Sequence, residues 1–407
     1  MNFTHISIIP LIGGLSLATS NILKSPPKAI FSYKCFYNND KLYLDYLKQN
    51  NLNIPYYQLD TSEWLQNIDK YIYSNIDIVS GLPPCAGLSS CSQLKPGARQ
   101  TSPVNEHMYN AANFILEYIQ PKAYVFENSP NLYSNVGIPV RQNLIDIANK
   151  FGYSVTFYKT DTLLHGIPQH RPRAYCIFYK GKYAPILNYC NIAYPTLEEF
   201  LKQLPKDSTL QDVYQTKEPF IKDFEIYKFF KYKYGENWRQ ETLKNVKHYT
   251  SYDYLRKMNL MYEFKDFLTL LENKGEEVSP IVKREINHVI TKTEQNKNFR
   301  LSHRVIGLHE NYTYAVYGES MERICHPVED RKMNIREYLH LMSMPHDFQI
   351  ENPRDYVKLS QNVPIKTSEF IISEIVEVLK GNRNFSSENI LMQDNTKAEK
   401  IKTKKLF

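Results

Sequence analysis

The stretch HISIIPLIGGLSLATS, His5–Ser20, supports two readings with different consequences. As an apolar core followed by small residues it would be an export signal. As a short buried strand that runs into a glycine turn it would open an α/β fold. The leader MNFTH carries no Lys or Arg, and Pro10 and Gly13-Gly14 interrupt the apolar run, which favours the strand. The sequence downstream agrees. KAIFSYKCF, NIDIVSG, AYVFENS, YSVTFYKT and RAYCIFYK are further short apolar runs, separated by helical stretches such as EHMYNAANFILEYIQ and VRQNLIDIANKFG, where Leu144, Ile147 and Ala148 share a face. Strands alternating with helices predict an α/β fold with a doubly wound, mainly parallel sheet, whose ligands bind at the carboxyl ends of the strands. The Gly-Gly pair and the Pro-Pro-Cys of GLPPC both sit at such ends.

Composition narrows the setting. A chain of 407 residues suggests two to three domains, or one large domain with an insertion. Its net charge of +7 suits a polyanionic partner without establishing one. The six cysteines form no CxxC pair, so a reducing, intracellular (cytoplasmic) setting is expected, with no disulfide scaffold and no zinc site. No apolar run reaches the roughly 18 residues that would span a bilayer, so no membrane partner is expected.

The character of the chain changes near Tyr189, where charge and aromatics rise. The expected organisation is a catalytic domain over 1–188, an inserted smaller domain over 189–300, closing motifs and a last helix over 301–384, and a basic flexible tail over 385–407. YDYLRKMNLMYEFKDFLTLLENKG reads as one long helix closed at Lys274-Gly275. A monomer is expected.

Three strand-end segments carry candidate chemistry. Pro83 and Pro84 fix the backbone ahead of Cys85, so its thiol leaves the strand in one direction. A thiol with thiolate character and access is a nucleophile, whereas most free cysteines are only packed. Glu127 in VFENSPN ends the next strand and would share the rim with Cys85. Gln169, Arg171 and Arg173 alternate in HGIPQHRPR and so project from one face. They would either meet an anion or carboxylate there or form a solvated edge.

In this order and spacing, GLPPCAGLSS, FENSPN and HGIPQHRPR resemble the motifs of the DNA cytosine-5 methyltransferases. CHPVEDRKMNIREYLHLMSMPHDFQI and KLSQNVPIKTSEFIISEIVEVL are similar to that family's closing segments. The resemblance covers roughly 5–185 and 300–380, with the variable middle falling where the family places its target-recognition region. It implies a Rossmann-like methyltransferase fold, double-stranded DNA as partner, S-adenosylmethionine as methyl donor, no metal, and a bacterial or phage-like origin. It implies that Cys85 adds to carbon 6 of a flipped cytosine, that Glu127 holds ring nitrogen 3, and that Arg173 braces the base and orients Glu127. Arg171 would support the cysteine loop or a phosphate. Ser89 and Gln169 would serve DNA binding, and Cys91 would be a packing residue.

The donor side departs from the pattern. Ile12, Gly13, Gly14 and Leu15 match the glycine turn, and Asp60 matches the acid that reads the adenine amine. Leu11, however, stands where the family has its first glycine, Ile9 where it has an aromatic, and Lys34 where it has the acid that grips the ribose. Ser360-Gln361 replaces a Gly-Asn pair, and Ala86 a glutamine. Several readings therefore stay open: an ordinary methyltransferase, one using a modified, carboxylated donor that Lys34 would pair with, an enzyme acting on RNA, or a homologue that binds DNA without chemistry. An active enzyme is expected, because an idle site need not keep Cys85, Glu127, Arg171 and Arg173 together.

Overall fold

A computed structural model of the chain describes residues 2–61, 75–85, 87–89, 98, 101–205, 225–245, 248–295, 307–309, 311–316, 324–329, 331, 333–350 and 353–397. The chain divides into two compact units, Met1–Tyr194 with Leu339–Phe407, and Pro195–Tyr338.

The first unit is built on one eight-stranded sheet. Its strands are β1 (His5–Ile8), β2 (Ile30–Ser32), β3 (Tyr56–Gln58), β4 (Ile78–Gly81), β5 (Ala123–Asn128), β6 (Ser154–Asp161), β7 (Pro172–Tyr179) and β8 (Ile390–Asp394). Their order across the sheet is β8-β6-β7-β5-β4-β1-β2-β3. All neighbours are parallel except β7, which runs antiparallel to both β5 and β6. β1, β4 and β5 are buried at every position. Strands covered on both faces are rich in apolar residues, and this is why they read as short hydrophobic runs, with Glu127 and Asn128 as polar exceptions at the end of β5. The intervening helices include α1 (Gly14–Leu23), α2 (Tyr37–Gln49), α3 (Glu106–Phe114) and α4 (Ile138–Lys150). In α4, Leu144 and Ala148 are buried and Ile147 half-buried, as the spacing predicts.

The reversal of β7 positions the site. Parallel strands end at the rim of the sheet that carries Gly13, Cys85 and Glu127, whereas an antiparallel strand begins there. Arg173, at the start of β7, thus reaches the rim where Glu127 ends β5.

The second unit is largely helical. It contains α5 (Glu225–Tyr234), α6 (Trp238–Asn245), α7 (Ser251–Lys257), α8 (Met261–Asn273) and α9 (Pro280–Glu294). Its own core gathers Tyr227, Phe230, Trp238, Tyr254, Phe264, Leu268 and Ile286. The single long helix expected over 252–275 is two helices: Asn259 takes φ 55, a left-handed turn that no helix continues through. The closure at Gly275, with φ 77, is as expected.

Two expected boundaries differ. Residues 301–338 group with the second unit and not with the closing catalytic motifs. The reason is local packing: the Cys325 sulfur lies 2.9 Å from the Tyr227 hydroxyl, and Arg239 donates to the carbonyls of His326 and Glu329. The segment expected to be a flexible tail from 385 instead supplies β8, parallel to β6. Its side chains are tied in. Gln393 exchanges two hydrogen bonds with the Leu187 backbone, at 2.9 and 3.0 Å, and Asn395 receives the Cys190 amide. Arg383 pairs with Glu374 through two 2.7 Å bonds. The lysine-rich composition around a short Ile-Leu-Met run concealed an edge strand. Residues 398–407 lie outside the described residues. The final helix, α10 (Ile365–Leu379), ends two residues before Gly381, at φ 81, and packs on α1. No described helix is long and apolar enough to cross a membrane.

Candidate active site

Cys85 stands four residues beyond the end of β4, half-buried, with Pro83 and Pro84 extending the chain ahead of it. The amides of Leu88 and Ser89 both donate to the Cys85 carbonyl, at 3.0 and 2.8 Å, so the chain turns sharply around the thiol. The neighbouring β5 end holds this loop in place. Asn128 donates its side-chain amide to the Pro83 carbonyl at 3.3 Å, and Asn131 donates to the Leu88 carbonyl at 2.7 Å. These two asparagines were not singled out from the sequence, although both lie inside the segment FENSPN.

Glu127 is buried, and its Oε1 lies 2.6 Å from Arg173 Nε. The register explains the pairing. Glu127 faces Tyr175 across β5 and β7, and Arg173, two residues earlier, shares its face. Burial raises the Glu127 carboxyl above its ordinary range, against the opposing pull of Arg173 and Arg171. Burial also raises the Cys85 thiol, and the Glu127 charge adds to this, while the two arginines oppose it. At neutral pH the free protein thus holds a neutral thiol beside a buried carboxyl-guanidinium pair.

Gln169 and Arg171 are buried and His170 and Pro172 half-buried, while Arg173 is itself half-buried, with its guanidinium against Glu127. Arg171 is tied to backbone carbonyls. It is 1% exposed, which leaves a phosphate no approach. Its guanidinium donates to the carbonyls of Ser360 and Asn362 at 2.7 and 2.6 Å, while Asp161 at the end of β6 accepts the Arg171 amide at 3.1 Å. Burial and the neighbouring Arg173 lower its pKa to about 9. Gln169 is fully buried and both polar atoms of its amide lack a hydrogen-bond partner, so it is not on a DNA-facing surface as expected. Ser89 is half-buried beside Cys85. Cys91 and Ala86 lie outside the described residues.

The donor side is built around the turn from β1 to α1. Gly13 takes φ 93, and a side chain there would collide with the Tyr43 ring of α2. Gly14 begins α1, and its amide donates to Asn362 Oδ1 at 2.9 Å. A side chain at Gly14 would overlap Asn362 and the Val363 carbonyl. Asn362 therefore joins the two halves: its carbonyl holds Arg171 and its side chain holds the glycine turn. Gln361, at the replaced pair, accepts a 2.7 Å bond from Asn39 of α2.

The residues present fit S-adenosylmethionine at its two ends. The Ile12 amide has no partner among the described residues and lies at the N-terminal end of α1, where a carboxylate is favoured. Ile12 and Leu15 are themselves buried. Asp60, just past β3, is exposed, and one of its oxygens accepts the Lys34 amide at 2.8 Å. Lys34, whose amide meets Asp60, is an exposed cation with no ion pair among the described residues. No group of three or more His, Cys, Asp or Glu among the described residues could hold a metal ion.

Residues 3–377 match the C-5 cytosine-specific DNA methylase family. The chain belongs to that family. Type II methyltransferase M.AgeI of Thalassovita gelatinovora is 31% identical over 100 residues, which cover 25% of this chain and 22% of that protein. Type II methyltransferase M.Bpa9945I of Bacillus paralicheniformis is 23% identical over 343 residues, covering 76% and 72%. The match to M.AgeI thus spans about a fifth of that protein's length. In fold, the chain is similar to the Entamoeba histolytica methyltransferase EhMeth, with a TM-score of 0.56 at 13% identity, covering 93% of this chain and 99% of that one. The doubly wound, mainly parallel sheet is the fold the sequence predicts, and the single reversed strand, β7, is what the structure adds.

Proposed function

We propose that the protein methylates carbon 5 of cytosine in DNA, using S-adenosylmethionine. The observation that carries this is the convergence at one rim of Cys85, after β4, and the Glu127–Arg173 pair, at the end of β5. Carbon 5 of cytosine is a poor nucleophile. Addition of the Cys85 sulfur to carbon 6 pushes electron density onto carbon 5. Glu127 holds ring nitrogen 3, and its raised pKa suits a carboxyl that must give a proton as charge develops there. Arg173 fixes the Glu127 carboxyl through Nε, donates through Nη1 to the Pro172 carbonyl at 2.8 Å, and would offer Nη2 to the base. When bound, S-adenosylmethionine supplies an electrophilic methyl group. Loss of the carbon-5 proton and of the Cys85–carbon-6 bond then restores the aromatic ring and frees the sulfur.

None of these atoms is reachable in a stacked duplex, so the base is taken out of the helix. Arg171 acts as a support: it fixes the strand-end cluster to the 360–362 backbone. Ile12, Gly13, Gly14, Leu15 and Asp60 would hold the donor, and the second unit would read the DNA sequence. The likeness to proteins named Type II methyltransferases supports a modification role within a restriction–modification pair. Mapping of modified cytosines in DNA from cells expressing the chain tests the assignment. Methylation at carbon 5 within a fixed sequence is expected, and its absence, with the protein folded and expressed, would sink it.

Lys34 favours one variant of the donor, a carboxylated S-adenosylmethionine, because an exposed cation with no ion pair among the described residues suits an added carboxylate. Calorimetric titration separates the two. Tighter binding of the carboxylated donor, reversed by Lys34→Glu, supports the variant, and a preference for the ordinary donor rejects it.

A further inference from the structure

The turn between β1 and α1 contains two non-glycine residues in the left-handed region, Ile9 at φ 47 and Leu11 at φ 52. An L-residue occupies that region roughly 5- to 30-fold less readily than the right-handed one, so each needs something to hold it. Ile9 is held by the sheet: its amide donates to the Phe31 carbonyl at 2.8 Å, and its carbonyl accepts the Leu82 amide at 3.1 Å. Among the described residues Leu11 has no such backbone partner. Its amide donates to Oδ1 of Asp40, at 3.0 Å, in a buried bond.

Asp40 is fully buried in the first turn of α2, and its Oδ2 accepts the Tyr56 hydroxyl at 2.9 Å. Both oxygens are thus engaged inside the protein. Asp40 cannot be the ribose-binding acid that is missing at Lys34. Tyr43, one helical turn further along α2, packs against Gly13. One face of α2 therefore meets the turn at two points, Leu11 and Gly13. The far side of the turn is fixed by Asn362 on the Gly14 amide.

We infer that Asp40 is a positioning residue for the methyl donor: it locks Leu11 in a conformation that glycine would adopt unaided, and so presents the Ile12 amide and the start of α1 to the ligand. This rests on the proposed use of S-adenosylmethionine by the same turn. Its consequence is specific. If Asp40 serves to hold an unfavourable backbone, it becomes dispensable once position 11 is glycine.

The test is a double-mutant cycle read by calorimetric binding of S-adenosylmethionine to the full chain. Asp40→Ala should weaken binding roughly 5- to 30-fold, raising KM while kcat at saturating donor changes little. Asp40→Asn, which keeps an acceptor for the Leu11 amide, should stay within about threefold of the parent and guards against simple misfolding of the alanine variant. Leu11→Gly alone should change little, and Leu11→Gly with Asp40→Ala should recover most of the lost affinity. Equal affinity in the parent and Asp40→Ala, or strictly additive losses in the double variant, would overturn the inference while leaving the donor assignment intact. Failure of the parent itself to bind S-adenosylmethionine would overturn the donor assignment, and the inference with it.

Discussion

Replacing Arg171 should cost stability and donor affinity before it costs chemistry. Its buried guanidinium makes two short bonds, to the Ser360 and Asn362 carbonyls. A hydrogen bond from a charged donor contributes about 1.5–3 kcal/mol, so Arg171→Met forfeits roughly 3–6 kcal/mol. Against a typical domain stability of about 5–15 kcal/mol, that places the variant near unfolding. Arg171→Lys keeps the charge but offers a single point donor, so it should lose about half as much. The damage should also spread. Asn362 holds the Gly14 amide through its side chain, and loosening its backbone weakens that bond. One neutral hydrogen bond is worth about 0.5–1.5 kcal/mol, which predicts a roughly 2- to 12-fold loss of S-adenosylmethionine affinity in the folded lysine variant. Urea unfolding followed at fixed pH gives the first quantity, and calorimetry the second. A lysine variant as stable as the parent, with unchanged donor affinity but no activity, would refute this reasoning and move Arg171 into the chemistry.

Three further outcomes follow from the same contacts. Burial raises the Asp40 carboxyl from 3.8 to about 7. The unfolded chain therefore ionises first, so the Asp40 contribution to stability is full below about pH 4 and is lost, by about 4 kcal/mol, as pH rises to about 7. Asp40→Asn should flatten that fall in pH-dependent melts, and an unchanged slope would contradict it. Since the Glu127 charge raises the Cys85 thiol, Glu127→Gln should lower it. Alkylation of Cys85 near pH 7 should then quicken, and slower or unchanged alkylation would show that the carboxylate does not act on the sulfur. A chain ending at Asn382 loses β8 and the Arg383–Glu374 pair, and should unfold at clearly lower urea concentration than the parent. An unchanged midpoint would mean that this edge strand contributes nothing.

The strand-end chemistry was legible because it is local. Two prolines before Cys85, an acid closing an apolar run, and arginines at alternate positions each constrain direction within a few residues. A mainly parallel sheet then brings strand ends together. The parts that were hidden depend on partners distant in sequence. Asp40 sits in YNNDKLYLDYLKQN, where an acid usually marks a solvated helix face, and only the fold turns it toward Leu11. Asn362 is 348 positions from the Gly14 amide it holds. The backbone at Leu11 carries no glycine to announce its left-handed turn. Lysines around Ile390–Asp394 hid a strand whose pairing is set by β6. The helix break at Asn259 was masked by an apolar periodicity that continues across it.

The most direct test of the proposed function is a covalent trap. DNA carrying 5-fluorocytosine in place of cytosine has no carbon-5 proton to lose, so the bond between Cys85 and carbon 6 persists once the methyl group is transferred. With S-adenosylmethionine present, a denaturation-resistant protein–DNA adduct is expected from the parent and none from Cys85→Ala. An adduct that survives Cys85→Ala, or one that forms on 5-fluorocytosine RNA but not on DNA, would contradict it.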